Sequence, residues 1–205
     1  MVPAPEKPIV YVVDDDNSLR KALSRLLSSA GYEVHAYASA GDFALAAREK
    51  RRGCLVLDLQ MPGPSGLDLQ EVLAKEEEPL PIIFLTGHGT VSQSVRAMKA
   101  GAVDFLTKPI EAEVLLGAIR TALARDQKSQ ISHELVRELR ARFETLTPRE
   151  REVFHRVVAG KLNKQTAADL NMAERTVKAH RAQVMTKMGA TSLADLVHFA
   201  DRMEE

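Results

Sequence analysis

Short apolar runs alternate with amphipathic segments through the first half of the chain. The first run, Ile9 to Val13, is rich in β-branched residues, which is typical of a strand buried on both faces. Leucines at helical spacing follow Asn17, a residue suited to capping a helix, and Gly31 ends this segment. The repeated alternation predicts strands at 9–13, 33–37, 54–57, 81–85 and 103–107, with helices after Asn17, at 39–50, 67–75 and 91–100, and from 111 onward.

This alternation predicts a doubly wound α/β fold, in which a five-stranded parallel sheet has helices on both faces. In such sheets ligands collect at the carboxyl ends of the strands. Those ends carry polar residues in this sequence. They are Asp14, Asp15 and Asp16 after the first strand, Asp58 after the third, Thr86 after the fourth and Lys108 after the fifth.

The strand pattern stops beyond Ala124. Residues 126–142 contain neither Pro nor Gly and keep a loose helical spacing of apolar residues. The fifth helix is therefore expected to continue into a helical linker at 125–142. Two interpretations of this linker stay open, a solvated helix and a coiled-coil seam. The expected domains are 1–124 before the linker and 143–205 after it.

The last domain is expected to consist of four helices. The first begins with Thr147, Pro148 and Glu150 arranged as a capping box, and it ends at Gly160. The second and third are joined by a tight turn at 171–173 and form a helix-turn-helix pattern, since the third is amphipathic and basic. These three further helices are predicted at 163–170, 174–188 and 192–202.

Composition narrows the class of protein. The 205 residues carry a formal net charge of zero, and 45% are hydrophobic and 27% charged, which is typical of globular chains rather than disordered ones. No apolar run approaches the ~20 residues of a membrane span, and the N-terminus lacks the apolar region of a secretory signal. The single cysteine, Cys54, excludes an intrachain disulfide and a Cys-rich zinc site. We expect a cytoplasmic protein with no membrane partner.

The neutral total charge conceals a local excess of positive charge. Residues 160–188 contain six Lys or Arg residues and only two acidic ones. Contact with nucleic acid requires such a basic surface somewhere on the protein. A solvated basic face is the alternative interpretation.

The polar residues at the strand ends form a chemically coherent set. Neighbouring carboxylates repel each other unless a cation neutralises them, and oxygen ligands without His or Cys favour Mg²⁺ or Mn²⁺. A carboxylate can attack phosphorus to give an aspartyl phosphate, while a lysine and a metal ion stabilise the phosphoryl oxygens. A nearby hydroxyl can bond one of those oxygens. The set therefore points to phosphoryl transfer.

Five sequence motifs resemble those of the receiver domain of response regulators, and they occur in the same order as in that family. The resemblance covers about 7–125 and is closest to the FixJ-like branch. It implies a flavodoxin-like five-stranded receiver domain. The motifs are Val13–Asp16, Asp58–Gly63, Leu85–Gly89, Ala97–Phe105 and Lys108–Pro109.

The resemblance implies a role for each residue of the set. Asp58 would accept a phosphoryl group from a phosphohistidine on the cognate sensor kinase. Mg²⁺ or Mn²⁺ would be bound by Asp58, by Asp15 directly, by Asp14 mainly through water, and by the backbone carbonyl of Gln60.

The resemblance also implies how the site would signal. Lys108 would pair with the phosphoryl group, and its bond to Pro109 is expected to be cis. Thr86 and Phe105 would be the switch pair: the hydroxyl would move toward the phosphoryl group and the aromatic ring would turn inward.

Some positions depart from the family pattern. Gln60 stands where Arg is common, and Ile110 stands where Phe is usual. Thr90 and Ser92 replace the Asp and Pro that FixJ-like proteins tend to have before the fourth helix. We expect these differences to affect the loop or the lifetime of the phosphate rather than the acceptor chemistry.

Three motifs of the last domain resemble the four-helix LuxR-type DNA-binding domain over about 143–203. They are Thr147–Val153, Gly160–Ala167 and Arg175–Arg181. A major groove could receive the third helix of this domain, and the side chains expected to reach base edges are Thr176, Lys178, Ala179, Arg181, Ala182 and Gln183. Phosphate contacts are expected from Asn163, Lys164, Arg175, His180 and Lys187.

Together the two resemblances imply a phosphorylation-controlled transcription regulator rather than an enzyme, since the receiver would catalyse only its own phosphorylation and dephosphorylation. The expected partners are a sensor histidine kinase, double-stranded operator DNA, the transcription machinery, and a second copy of the chain bound through the fourth helix and fifth strand. Two alternatives belong to other classes. One is a metal-dependent phosphatase with an Asp nucleophile, and the other is a phosphorylated interaction protein that does not bind DNA.

Overall fold

The computed structural model describes residues 7–46, 52–87 and 90–204. Contacts divide the chain into two compact units, Met1–Gln130 and Ile131–Glu205. Residues 47–50 of the helix predicted at 39–50 and two residues of the predicted Leu85–Gly89 motif, His88 and Gly89, lie outside the described residues.

The first unit alternates strands and helices as predicted. Its elements are β1 (Ile9–Val13), α1 (Asn17–Ser29), β2 (Glu33–Tyr37), α2 (Ala40–Leu45), β3 (Cys54–Asp58), α3 (Gly66–Leu73), β4 (Ile82–Thr86), α4 (Val91–Lys99) and β5 (Asp104–Thr107). Helix α5 (Ala112–Glu144) follows, and a single helix thus includes the segment predicted as linker.

The five strands form one parallel sheet in the order β2-β1-β3-β4-β5. Every residue of β3 and β4 is buried. Alternate side chains enter two apolar clusters, since Leu57 and Phe84 belong to one and Val56 and Ile83 to the other. The predicted doubly wound architecture is confirmed, and all five strands end at the same edge of the sheet.

Polar side chains cap the first turns of α1 and α4 in this unit. The N-cap of α1 is Asp16, whose carboxylate accepts from the amide of Ser18 at 2.7 Å and of Leu19 at 3.2 Å. Asn17, expected to be the cap, is instead the first helical residue. Thr90, one of the departures from the family pattern, forms a capping box with Gln93 at the start of α4.

The second unit contains the end of α5 and four further helices. These are α6 (Pro148–Val158), α7 (Asn163–Leu170), α8 (Glu174–Met188) and α9 (Leu193–Glu204). Asn171 ends α7 with a φ of 50°, a left-handed conformation that makes the turn before α8 tight. The core of this unit includes Val153, Phe154, Val177 and Leu196.

The end of α5 is bonded to the helices of the second unit. The guanidinium of Arg142 donates to the carbonyl of Met188 at 3.0 Å. The guanidinium of Arg202 in turn donates to the hydroxyl of Ser132 at 3.3 Å. Leu139, within the segment predicted as linker, is only 1% exposed. The second compact unit, which begins at Ile131, therefore includes this last part of α5.

Within the described parts of the chain, no helix combines the length and apolar character that crossing a membrane requires.

Substitution of two leucines in the part of α5 that belongs to the second unit tests which face of this helix is packed in the core. We expect Leu139→Ala to lower the free energy of unfolding by about 2–5 kcal/mol, because it removes a fully buried side chain. Leu135→Ala makes the same chemical change at a residue that is 36% exposed and should have a much smaller effect. Calorimetry of the full chain measures both, and equal losses would contradict the assignment.

Candidate functional site

The sheet brings three predicted carboxylates together at its carboxyl edge. Asp14 follows β1, Asp15 is the next residue, and Asp58 ends β3. One carboxylate oxygen of each lies within 4.8 Å of the others. Asp14 and Asp58 are buried and Asp15 is exposed. Since β1 and β3 are adjacent strands, their parallel pairing alone places these groups side by side.

Lys108 joins the two buried carboxylates. Its ammonium group lies 2.6 Å from Oδ2 of Asp14 and 2.9 Å from Oδ2 of Asp58. Burial disfavours the charged lysine, but the hydrogen bonds and opposite charges of Asp14 and Asp58 outweigh it and raise the pKa of Lys108 above its usual value. Lys108 is therefore a fixed cation in the site.

Burial raises the pKa of Asp14 above its usual range, although hydrogen bonds from Lys108 and from the Asp16 amide act in the opposite direction. The site therefore contains three acidic groups and one lysine that contacts two of them, so it carries excess negative charge. The donor set consists only of carboxylates, the ligands that Mg²⁺ and Mn²⁺ prefer. The residues present fit a hard divalent cation.

Backbone groups hold the carboxylates in place. The amide of Asp16 donates to Oδ1 of Asp14 at 2.8 Å, and the amide of Gln60 donates to Oδ1 of Asp58 at 3.2 Å. The Arg20 guanidinium donates to the carbonyl oxygen of Asp14 at 2.6 Å. Sequence reasoning missed Arg20, although an arginine in the first turn of the helix that follows an aspartate run is a visible signal.

A close approach of α3 also fixes the acceptor strand. A Cβ added at Gly66 would lie 2.4 Å from the carbonyl oxygen of Asp58 and 3.0 Å from the ring of Phe84, so this position admits only glycine. The Gly66 amide donates to the carbonyl of Leu59 at 3.1 Å. The first turn of α3 therefore packs directly against the end of β3.

The predicted switch residues lie on the two strands beside this cluster. Thr86 is buried at the end of β4, and Phe105 on β5 is half-buried. The Phe105 ring lies 6.2 Å from that of Phe84, its partner in the strand register. The amide of Lys108 donates to the Thr86 carbonyl at 2.7 Å, and the Lys108–Pro109 peptide bond is cis, as expected.

The predicted DNA contacts lie on α7 and α8 of the second unit. Most are exposed, and this group consists of Lys164, Arg175, Thr176, Lys178, Ala179, Ala182 and Gln183. Asn163, His180, Arg181 and Lys187 are half-buried. The opposite side of α8 is apolar, since Val177, Val184 and Met188 are buried in the core.

Three of these cations already have partners within the second unit. The Arg181 guanidinium donates to Oδ1 of Asn163 at 3.2 Å, which joins α8 to α7. The Lys178 ammonium lies 3.0 Å from Glu174. The Lys187 ammonium donates to Oε2 of Glu150 at 2.7 Å. The structure thus places Lys187 within the packing of the unit.

Comparison with known proteins matches both halves of the chain. Residues 10–120 match the family described as Response regulator receiver domain, and residues 144–200 match Bacterial regulatory proteins, luxR family. The chain belongs to the response regulators.

Relatives share this two-part organisation over nearly their whole length. Nodulation protein W of Bradyrhizobium diazoefficiens is 48% identical over 200 residues, 98% of this chain and 88% of that protein. Transcriptional regulatory protein FixJ of Rhizobium meliloti is 44% identical over 191 residues, 93% of this chain and 94% of that protein. The solved structure of response regulator StyR has a TM-score of 0.82 at 45% identity, covering 96% of this chain and all of that one.

These findings confirm the predicted family, the fold class and the general function. The chain is a DNA-binding response regulator of transcription with a receiver domain and a LuxR-type domain. Its relation to FixJ agrees with the FixJ-like motifs. The roles of individual site residues and the expected domain boundaries remain predictions.

The Glu150–Lys187 pair of this response regulator was not predicted from sequence. Glu150 is buried as the third residue of α6, where it also accepts from the Thr147 amide at 2.8 Å. Hydrogen bonds from Lys187 and Thr147 lower the pKa of Glu150 below its usual value. The capping box visible in the sequence therefore has a second function, which is to bind the end of α8 to the start of α6.

The pair predicts a specific dependence of stability on pH. Because the folded-state pKa of Glu150 is lowered, its contribution is present above the usual value of 4.5 and is lost as the pH falls through the lower folded value. Glu150→Gln should cost about 1–2 kcal/mol at neutral pH. Its difference from the unmodified protein should shrink below pH 4.5.

Glu152→Gln provides the matched control, since Glu152 bonds Arg149 on an exposed surface of the same helix. Urea unfolding at pH values from 7 to 3 measures both variants. A Glu150→Gln deficit that persists undiminished in acid would contradict the assigned ionisation.

Proposed function

We propose that this response regulator accepts a phosphoryl group on Asp58 from a sensor histidine kinase and thereby controls DNA binding by its LuxR-type domain. The observation that carries the proposal is the Lys108 ammonium between two buried carboxylates at the sheet edge, with Asp15 beside them. In the transfer, an oxygen of Asp58 bonds to phosphorus while the phosphorus–nitrogen bond of the phosphohistidine breaks.

Asp58 is better suited to be the acceptor than either of its neighbours. The Asp14 side chain is fully buried, so an incoming phosphohistidine cannot reach it. Asp15 is exposed, but the carboxylates that the Lys108 ammonium contacts are those of Asp14 and Asp58. Asp58 combines an oxygen 2.9 Å from the Lys108 ammonium with a side chain that is 7% exposed.

A divalent cation would neutralise the negative charge that Lys108 leaves uncompensated in the carboxylate cluster. Asp14, Asp15, Asp58 and the backbone carbonyl of Gln60 would hold Mg²⁺ or Mn²⁺, which would supply charge neutralisation to the phosphoryl oxygens. With these groups holding the cation, Lys108 would be available to pair with the phosphoryl group.

Thr86 and Phe105 are the residues that we propose transmit the phosphorylation of Asp58 to the protein surface. Thr86 ends the strand between β3 and β5, and its backbone carbonyl accepts from Lys108. A hydroxyl that turned toward a phosphoryl group on Asp58 would leave space that the half-buried Phe105 ring could enter. A local charge would in this way alter the surface formed by α4 and β5.

That surface is our proposed dimer interface. Val91, Val95 and Met98 lie on one face of α4 at helical spacing, and all three are exposed. Phosphorylation would reshape this apolar face and favour its burial against a second copy of the chain. Two DNA-binding domains would then engage neighbouring half-sites together, at a high effective concentration.

No general catalytic activity is proposed for the receiver domain. Its chemistry would be limited to phosphorylation of Asp58 and hydrolysis of that phosphate. The other partners would be operator DNA and the transcription machinery, with the protein acting in the cytoplasm.

Acetyl phosphate with Mg²⁺ tests the acceptor. The full chain should gain the mass of one phosphoryl group, and Asp58→Asn should gain none because the nucleophilic oxygen is lost. Asp16→Asn is the matched control: it changes an aspartate two residues from Asp14 to a residue that can still cap α1. Intact-mass spectrometry measures all three proteins, and phosphorylation of folded Asp58→Asn would contradict the proposal.

Light scattering of the same samples tests the interface. The phosphorylated chain should dimerise, whereas Val91→Asp should keep the mass gain and remain monomeric, because it places a charge on the proposed apolar face. A phosphorylated Val91→Asp that dimerises like the unmodified chain would refute the α4 interface.

Phosphate contacts and base contacts can be distinguished by whether the loss of affinity in a variant depends on the DNA sequence. Lys164→Ala should weaken binding to all duplexes about equally and reduce the slope of log affinity against log salt by about one, since it removes a phosphate contact. Gln183→Ala should instead relax base preference at one position, at a cost of about 1–3 kcal/mol. Fluorescence anisotropy on selected and scrambled duplexes measures both. Equal loss on every duplex for Gln183→Ala would contradict its assignment to base recognition.

A further inference from the structure

Arg181 lies next to the packed side of α8, although its positive charge alone suggests contact with DNA bases. Val177 precedes it by four residues and Val184 follows it by three, and both valines are fully buried. Residues at this spacing share one face of a helix. Lys178 and Ala182, in contrast, are exposed. Arg181 therefore leaves α8 at the edge of its buried face and not from the middle of its exposed face.

The guanidinium of Arg181 is bonded to the first residue of α7. It donates to Oδ1 of Asn163 at 3.2 Å, and both side chains are half-buried. A guanidinium has only donors, so this bond fixes which end of the Asn163 amide carries oxygen and which carries nitrogen. The Nδ2 end, with its two N–H groups, is directed away from the guanidinium.

This Nδ2 group is a free donor. It makes no hydrogen bond to a described residue, and it is not one of the buried atoms without a partner, so solvent reaches it. Asn163 begins α7, and Lys164 beside it is exposed. Asparagine amides and helix N-termini are among the groups that contact DNA phosphates. An accessible amide at this position is suited to donate to a phosphate oxygen.

We propose that Arg181 is a positioning residue that holds the Asn163 amide so that Nδ2 donates to a DNA phosphate, and that Arg181 itself reads no base. The inference rests on the proposed DNA contacts of α7 and α8, and it gives Arg181 a role other than the base contact expected from its sequence. A fixed amide loses less rotational freedom when DNA binds. The adjacent positive charge also polarises the amide and strengthens its N–H groups as donors.

A double-mutant cycle tests the link between the two residues. Arg181→Met removes the donors and keeps an apolar stem, whereas Asn163→Ala removes the amide. Asn163→Ala should weaken DNA binding by the full chain about tenfold, and Arg181→Met should weaken it severalfold. The double variant should bind no more weakly than Asn163→Ala, because both changes interrupt the same contact. Fluorescence anisotropy measures all three, and losses that multiply would overturn the proposal.

Two further measurements on Arg181→Met separate positioning from direct contact. Its loss of affinity should be equal on a duplex selected in vitro by the unmodified chain and on a scrambled duplex. The slope of log affinity against log salt should stay unchanged, whereas Lys164→Ala should reduce it by about one. A loss confined to the selected duplex would make Arg181 a base contact, and a reduced slope would make it a phosphate contact. Either result overturns the proposal.

Arg149→Met is the control for the lost charge. Arg149 is an exposed residue of α6 that is paired with Glu152. Its substitution removes one positive charge from the same unit and should change the affinity for DNA by less than about twofold, since exposed charges outside the interface are largely screened by salt. An equal loss from Arg149→Met and Arg181→Met would show a general charge effect and overturn the specific role of Arg181.

An acidic substitution tests whether DNA binding requires the Nδ2 group or only the link between the helices. Asn163→Asp keeps an oxygen for Arg181 but has no N–H donor, so it should retain stability in urea and lose affinity for DNA. Gln165→Glu is the matched control, since it places the same charge in the same turn and keeps an oxygen for the Leu162 amide. Asn163→Asp should bind DNA about tenfold more weakly than Gln165→Glu. Equal affinities of the two variants would overturn the proposal.

The proposed DNA contacts have their own test in the same assay. If neither Lys164→Ala nor Gln183→Ala weakens binding, the contacts proposed for α7 and α8 are wrong, and the role of Arg181 is overturned with them. If both variants behave as expected and the losses in the Arg181–Asn163 cycle multiply, only the role of Arg181 is overturned.

Discussion

The ammonium group of Lys108, held between the carboxylates of Asp14 and Asp58, is the interaction on which the receiver site depends. Two carboxylates buried side by side repel each other strongly, and their burial is tolerable only beside a cation. The partners are separated from Lys108 by 94 and 50 residues along the chain. Only the completed sheet brings them together, so the site and the fold form at the same time.

The strand order explains why the cation of the site lies at the end of a long side chain. Strand β5 is two strands away from β3, with β4 between them. Neighbouring strands are about 4.8 Å apart, so a side chain leaving the end of β5 must be long to reach β3 and β1. The end of β4, where Thr86 is buried, lies between β5 and these two strands.

Sequence reasoning identified the carboxyl-edge residues because parallel strands must end together, and this geometry follows from the alternation of strands and helices. It failed where a contact depends on how helices pack. The helical spacing of α5 does not show that Leu139 is buried, and the basic character of α8 does not show that Lys187 is bonded to Glu150. Asn17 was expected to cap α1, but Asp16 does so, and the residue types alone could not decide this because both favour that position.

A backbone hydrogen bond joins the two ends of the loop between β3 and α3. The hydrogen bond from the Gly66 amide to the Leu59 carbonyl closes residues 59–66 into a ring, and Leu59 and Met61 anchor it in the core. Gln60 and the three residues from Pro62 to Pro64 face solvent. Because the ends are fixed, substitutions at these exposed positions can change the surface beside Asp58 without displacing the acceptor. Preference for one phosphate donor over another can therefore diverge among descendants of this protein while the chemistry of the acceptor stays the same.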